Sequence, residues 1–172
     1  MGFLILISLL ALLSAALGAL FGRRPSRRDA MRYGLAGGFL FTGLDHFFND
    51  AERYAPMLPP GFQPWALELV WFTGAAELAG AMGLLVPMTW AVRIGWPNLR
   101  AWAGGGLAVL LCAVVVANVH VAQSGGQVSG LPFGSTYYQL RPLLQPLFVI
   151  WALYVGGLLW RRPPEPKTAI GP

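Results

Sequence analysis

Five long apolar runs separated by short polar loops constrain this chain more than any other feature. They cover residues 2–21, 30–48, 65–86, 102–121 and 138–160, and each, as a helix, is long enough to cross a hydrocarbon core of about 30 Å. The chain is 56% hydrophobic and only 11% charged, with a mean hydropathy of +0.57. A soluble globular domain carries roughly 25% charged residues. A chain of 172 residues cannot bury that much apolar surface in a water-facing core, so the bilayer is the expected solvent. The expected fold is all-α, a polytopic transmembrane helical bundle of five spans. Residues 1–22 read as an N-terminal transmembrane helix, 30–160 as a four-helix membrane domain, and 161–172 as a disordered cytoplasmic tail broken by Pro163, Pro164 and Pro166. The first run could instead be a cleaved signal peptide, since SAALGAL offers small residues. It lacks a basic n-region, however, and an uncleaved anchor is the expectation.

The net charge of +5 would suit nucleic acid, but its placement argues otherwise. Arg23, Arg24, Arg27, Arg28 and Arg32 cluster between the first two runs, Arg93 and Arg100 follow the third, and Arg161, Arg162 and Lys167 follow the fifth. The loops 49–64 and 122–137 carry only Arg53, offset by Asp50 and Glu52. All three basic loops therefore belong on the cytoplasmic side, with the N-terminus outside and the C-terminus inside. Ala76, Ala79, Gly80 and Gly83 on the third run, and Gly34 with Gly38 on the second, have the small-residue spacing that lets helices approach in lipid. Pro142 and Pro146 read as the start of the fifth helix, with Pro142 in its first turn and Pro146 bending it. The single cysteine, Cys112, lies within LAVLLCAVVVA and reads as an inert buried thiol.

Polar residues at membrane depth are costly, and so are candidates for function. His46 and His120 lie near the ends of two outward-running helices, and Asp45, Glu77, Asn118 and Arg141 join them in the outer leaflet. Glu68 and Gln145 enter from the same side, and Thr42 shares a helix face with His46. The least costly arrangement pairs Arg141 with Glu77 or Asp45, and such a pair could simply hold the bundle together. Bis-histidine haem ligation would need His46 and His120 across one porphyrin. A zinc or iron site would recruit Asp45 and Glu77 as well, without any H-x-x-x-H spacing. Both are disfavoured against a quinone-like ligand, which needs a flat apolar slot and hydrogen-bonding groups. Phe47, Phe48, Trp65, Trp71 and Tyr138 could line that slot, although an interfacial aromatic belt explains such rings equally.

Residues 38–155 resemble the DoxX family of small bacterial four-helix membrane proteins. The likeness rests on Gly43-Leu44-Asp45-His46-Phe47, on Tyr54, Pro56, Leu58 and Pro59, and on TGAAELAGAMGLLVP with Gly74, Glu77, Gly80, Gly83 and Pro87. It continues in Ala117, Asn118 and His120 of VVVANVHVA, and in Arg141, Gln145 and Trp151 of LRPLLQPLFVIWAL. Val116 and Val121 depart from the family's proline and methionine, and the prolines of the last motif do not fall identically. The resemblance implies a DoxX-like four-helix core in the bacterial cytoplasmic membrane, with residues 2–21 as an extra helix. Relatives in that family include a quinone-reducing thiosulfate-oxidation subunit, redox-associated membrane proteins and a receptor-assembly chaperone, so the likeness leaves function open.

Two function classes follow. The first is a redox-associated accessory subunit whose outer-leaflet pocket, built from His46, His120, Asp45, Glu77, Asn118 and Arg141, takes a quinone or similar small apolar ligand. The second is a non-catalytic assembly factor or scaffold for another membrane protein. Partners are thus the lipid bilayer, a small apolar ligand and a membrane protein, not nucleic acid. A transporter is disfavoured, because no paired inverted repeat is evident. With no cysteine pair, nucleotide loop or electron-carrier domain in the sequence, electrons would come from outside, which suits an accessory component better than a self-sufficient enzyme. The orientation is directly testable. Cysteine placed at Ser124 or Pro59 should react with an impermeant thiol reagent on intact cells, and cysteine at Arg27 should not; labelling at Arg27 would invert the topology.

Overall fold

The computed structural model describes residues 2–131 and 133–160, and these are all-helical. Its α-helices are α1 (Gly2–Leu20), α2 (Arg27–Phe48), α3 (Ala66–Leu85), the short α4 (Met88–Arg93), α5 (Leu99–Gln123) and α6 (Ser135–Gly156). Local chemistry sets several of these limits. Ser26 caps α2: its hydroxyl accepts from the Asp29 amide at 3.1 Å, satisfying one free donor of the first turn, and donates to the Asp29 carboxylate at 2.8 Å. Pro87 follows the end of α3, and Gly157, at φ 80, closes α6 in the left-handed conformation that glycine tolerates. The helix α6 begins at Ser135, so Pro142 lies two turns inside it and not in its first turn. Each proline withholds an amide from the carbonyl four residues before it.

The long helices run antiparallel to their chain neighbours. Helices α2, α3, α5 and α6 form a four-membered bundle around Leu35, Phe39, Leu84, Leu107, Phe148 and Ala152. Helix α1 lies against α2, where Ile7 is fully buried. Small residues set these approaches. A β-carbon on Gly34 would stand 2.8 Å from Ala11 Cβ, and one on Gly83 would stand 2.8 Å from Ala103 Cβ. One on Gly104 would stand 2.7 Å from the Ala152 carbonyl oxygen and from Gly156 Cα. The glycine pair Gly34 and Gly38 is therefore the α1–α2 seam.

Arginines gather at one end of the bundle and bind carbonyls there. Arg32 donates to the Leu84 carbonyl at 2.6 Å and Arg100 to the Val86 carbonyl at 3.3 Å, both at the end of α3. Arg28 donates to the Leu159 and Trp160 carbonyls beyond α6 at 3.1 and 3.2 Å. The last carbonyls of a helix lack intrahelical donors and carry partial negative charge, so cations satisfy them doubly. Arg32 is thus not a loop residue. It sits in the second turn of α2, buried, and ties α2 to α3.

Two helices, Gly2–Leu20 and Leu99–Gln123, are long and apolar enough to cross a membrane by composition. The others carry Arg27, Arg28, Asp29 and Arg32, or Glu68 and Glu77, or Arg141 and Gln145, which lower their hydropathy. Cys112 is exposed on α5, not buried, because a helix apolar on every side still turns one face outward. The expected tail, residues 161–172, lies outside the described residues. The Gly104 crossing gives a stability test. Gly104→Ala should lower the unfolding temperature in detergent, by the equivalent of about 1–3 kcal/mol for overpacking. Gly106→Ala meets nothing within 4 Å and should be neutral or stabilising by up to about 1 kcal/mol. Equal effects at both positions would mean that α5 and α6 do not cross at Gly104.

Candidate ligand-binding site

At the end opposite the arginines, α2 and α5 finish and α3 and α6 begin. The linking segment after α2 folds as a π-helical turn, Asp50–Tyr54, followed by 3-10 turns Ala55–Met57 and Pro60–Trp65. Asp45 anchors it. The Asp45 carboxylate forms a close ion pair with Arg53 and accepts from the Tyr54 hydroxyl at 2.8 Å and the Asn49 amide at 2.6 Å. Burial, and then the Asp45 carboxylate, hold the Tyr54 phenol protonated well above its usual range. Nearby, the Trp71 indole donates to Asp50 at 2.7 Å and keeps that carboxyl below its usual range.

Tyr54 in turn covers His46, with ring centroids 3.9 Å apart. The imidazole is buried between α2 and α3. Its Nδ1 lies 3.2 Å from the Val70 carbonyl oxygen and 3.3 Å from the Thr73 hydroxyl, which itself donates to Val70 at 2.9 Å. A carbonyl can only accept, so in the neutral ring Nδ1 carries the proton and Nε2 keeps its lone pair. One layer deeper, Glu77 accepts from the Thr42 hydroxyl at 2.5 Å. Across the bundle, Asn118 donates to Gln145 at 3.1 Å, and Gln145 donates to the Leu111 carbonyl at 2.6 Å.

Two adjoining cavities share His46, Tyr54, Glu77, Asn118 and Arg141 in their walls. The inner one, about 60 Å³, lies within the bundle and adds Thr42 and Gln145. The second, about 310 Å³, lies between α3 and α5 beneath Met57, Leu58 and Phe62. Its other walls are mainly Leu69, Val70, Val114 and Ala117, with Ala113 and Val116 exposed at its mouth. That size is at the lower end of the range for small-ligand sites. The result is an apolar groove open on the flank of the bundle and polar at its inner end.

Four of the six expected site residues, His46, Glu77, Asn118 and Arg141, converge here. His120 does not, and lines neither cavity. Two residues along a helix turn the side chain by about 200°, so burying Asn118 turns His120 away. Asp45 also stays out of the walls, holding the linking segment instead. Neither Asp45 nor Glu77 pairs with Arg141: Asp45 takes Arg53, while Glu77 and Arg141 face the same cavities from α3 and α6 without an ion pair among the described residues. Glu68, Phe47, Phe48, Trp65 and Trp71 are exposed, and Tyr138 is buried away from both cavities. The rings at the larger cavity are Tyr54 and Phe62. Among the described residues no three His, Cys, Asp or Glu side chains group as a metal would require.

A double-mutant cycle separates these pairings. Asp45→Asn and Arg53→Gln should couple by roughly 0.5–3 kcal/mol in unfolding free energy, whereas Asp45→Asn with Arg141→Gln should add within about 0.5 kcal/mol. Coupling of Asp45 to Arg141 instead would show the segment 50–65 to be wrongly anchored.

No curated protein and no solved structure matches the chain. Residues 35–156 match the family described as Domain of unknown function (DUF8561). The match runs from within α2 to the end of α6, covers well over half of the chain and includes every residue of the two cavities except Phe3 and Leu4. The chain belongs to this DUF8561 family.

Proposed function

We propose that this chain is an integral membrane protein of five spans, with its arginine end at the cytoplasm. In its outer half it would hold a quinone or a similar small apolar ligand with a hydrogen-bonding head. The observation that carries this reading is the groove of about 310 Å³, apolar along its length and closed at one end by His46, Glu77, Asn118 and Arg141. Exposed Leu9, Leu12, Phe41, Phe72, Trp102 and Val109 cover the flanks of the bundle. A water-facing protein rarely presents so continuous an apolar surface, whereas lipid solvates it without cost. A ligand dissolved in the membrane could enter the groove sideways past Ala113 and Val116, without crossing water.

Within the pocket, His46 Nε2 would accept a hydrogen bond from a hydroxyl of the reduced ligand, and Arg141 and Asn118 would donate to a carbonyl of the oxidised one. Glu77 would exchange protons with the inner cavity, which has room for water. The likeness to DoxX belongs to the same proposal, as does the role of redox-associated accessory subunit.

Short-tailed benzoquinone binding to the protein in mild detergent tests this. His46→Phe and Arg141→Gln should abolish binding, Ala113→Trp should block the mouth, and His120→Phe should bind as wild type does. Undiminished binding by His46→Phe, or none by the wild type, would discard the pocket. If His46→Phe also keeps full function in the host while exposed helix-face substitutions lose it, the chain is a scaffold for another membrane protein.

A further inference from the structure

The arginine end holds a second concavity, unrelated to the groove. An open cleft of about 520 Å³ lies among α1, the link after it, and the starts of α2 and α5. Four arginines, Arg23, Arg24, Arg32 and Arg100, line it, with Asp29 as the single carboxylate among the described residues and Ser14 and Tyr33 as the hydroxyl residues. Asp29 is already paired, at 2.8 Å, with Arg32. Arg23 and Arg24 are exposed and form no ion pair among the described residues. Arg32 is only 4% exposed, and its Nε–H has no hydrogen-bond partner among the described residues. A buried donor left in that state is uncommon. The like charges of Arg32 and Arg100 also repel each other, and Asp29 offsets that in part. An anion in the cleft would relieve that repulsion and give the two exposed arginines a partner.

We propose that this cleft binds a phosphate-bearing anion. Arg23 and Arg24 would close on it from the solvent side, while Arg32 and Arg100, fixed by their carbonyl bonds, supply standing positive charge beneath. Guanidinium forks match phosphate oxygens in pairs, which favours phosphate over a halide. Where this end meets the cytoplasmic leaflet, the phosphodiester of an anionic phospholipid is at hand, and basic pockets between helices there take such headgroups. A soluble phosphate is the other source of the same chemistry. The cleft shares no residue with the groove, so anion binding here and ligand binding there stand or fall separately, while the lipid source rests on the membrane orientation proposed above.

The experiment compares unfolding temperatures of the full chain in phosphatidylcholine nanodiscs, in the same nanodiscs with phosphatidylglycerol, and in phosphatidylcholine with inorganic phosphate. Phosphatidylglycerol should raise Tm by about 2–4 °C for each kcal/mol of binding. Arg23→Gln with Arg24→Gln should remove the rise, and Arg23→Lys with Arg24→Lys should keep part of it. Arg27→Gln with Arg93→Gln, which alters two exposed arginines outside the cleft, should keep all of it. A rise given by inorganic phosphate and lost in the Arg23, Arg24 glutamine variant supports the site and names a soluble anion as its ligand. The proposal fails if neither phosphate source raises Tm, if the rise survives in that variant, or if both glutamine pairs lose it equally.

Discussion

A side chain at position 74 would occupy the place of the His46 imidazole. A β-carbon on Gly74 would stand 2.7 Å from His46 Cβ and 3.2 Å from its Nδ1, and Gly43 meets the Gly74 carbonyl oxygen in the same crossing, 3.1 Å from its own β-carbon position. With both positions reduced to hydrogen, α2 and α3 close until the ring fits between them. Nδ1 then reaches the Val70 carbonyl, which fixes the tautomer and leaves Nε2 as the acceptor. Tyr54 lies on the ring, and Asp45, one residue along α2, holds Tyr54 there. The shared wall of both cavities is thus built outward from one close helix crossing.

Charge is divided between the two ends by the same economy. At one end the Leu84 and Val86 carbonyls at the end of α3 and the Leu159 and Trp160 carbonyls beyond α6 meet arginines, so these acceptors do not depend on water for a partner. At the other, Asp45 is saturated by Arg53, Tyr54 and Asn49. Glu77 and Arg141 are treated differently. Thr42 holds the Glu77 carboxyl toward α2 while Arg141 reaches the same cavities from α6, and the two form no ion pair among the described residues. Joining them would satisfy each more fully; holding them apart keeps donors and acceptors turned into the cavity.

Much of this arrangement is legible in helical periodicity. Arg32, Leu35, Phe39, Thr42 and His46 recur every three or four residues along α2, which places Arg32 on the same buried stripe as His46. Grouping it with its basic neighbours hid that register. The same spacing links Leu111, Val114 and Asn118 and leaves His120 off the stripe, so equal depth did not imply a shared site. The segment 49–65 resists such reading, because it has no repeat and its structure rests on tertiary bonds. Arg53 looks offset by Asp50 and Glu52, which are near it in sequence, but Asp45 wins because two further donors stabilise its carboxylate there. Aromatic residues gave a similar false lead. Phe47, Phe48, Trp65 and Trp71 are near His46 in sequence or depth, yet a cavity wall is chosen by direction, and these rings point outward.

Helix α1 closes one wall of the inner cavity. The family match begins at residue 35, so α1 lies outside it, yet Phe3 reaches into the inner cavity wall. Its ring packs 5.3 Å from Phe39 and edge-on to Phe148 at 5.2 Å. Gly34 and Gly38 bring α1 so close to α2 that Ile7 is wholly enclosed. That flank is therefore closed by backbone contact at Gly34 and Gly38, while the larger groove has its exposed mouth on the α3–α5 side, at Ala113 and Val116. A helix outside the matched region thus completes the wall of the inner cavity, while the matched helices supply its polar groups.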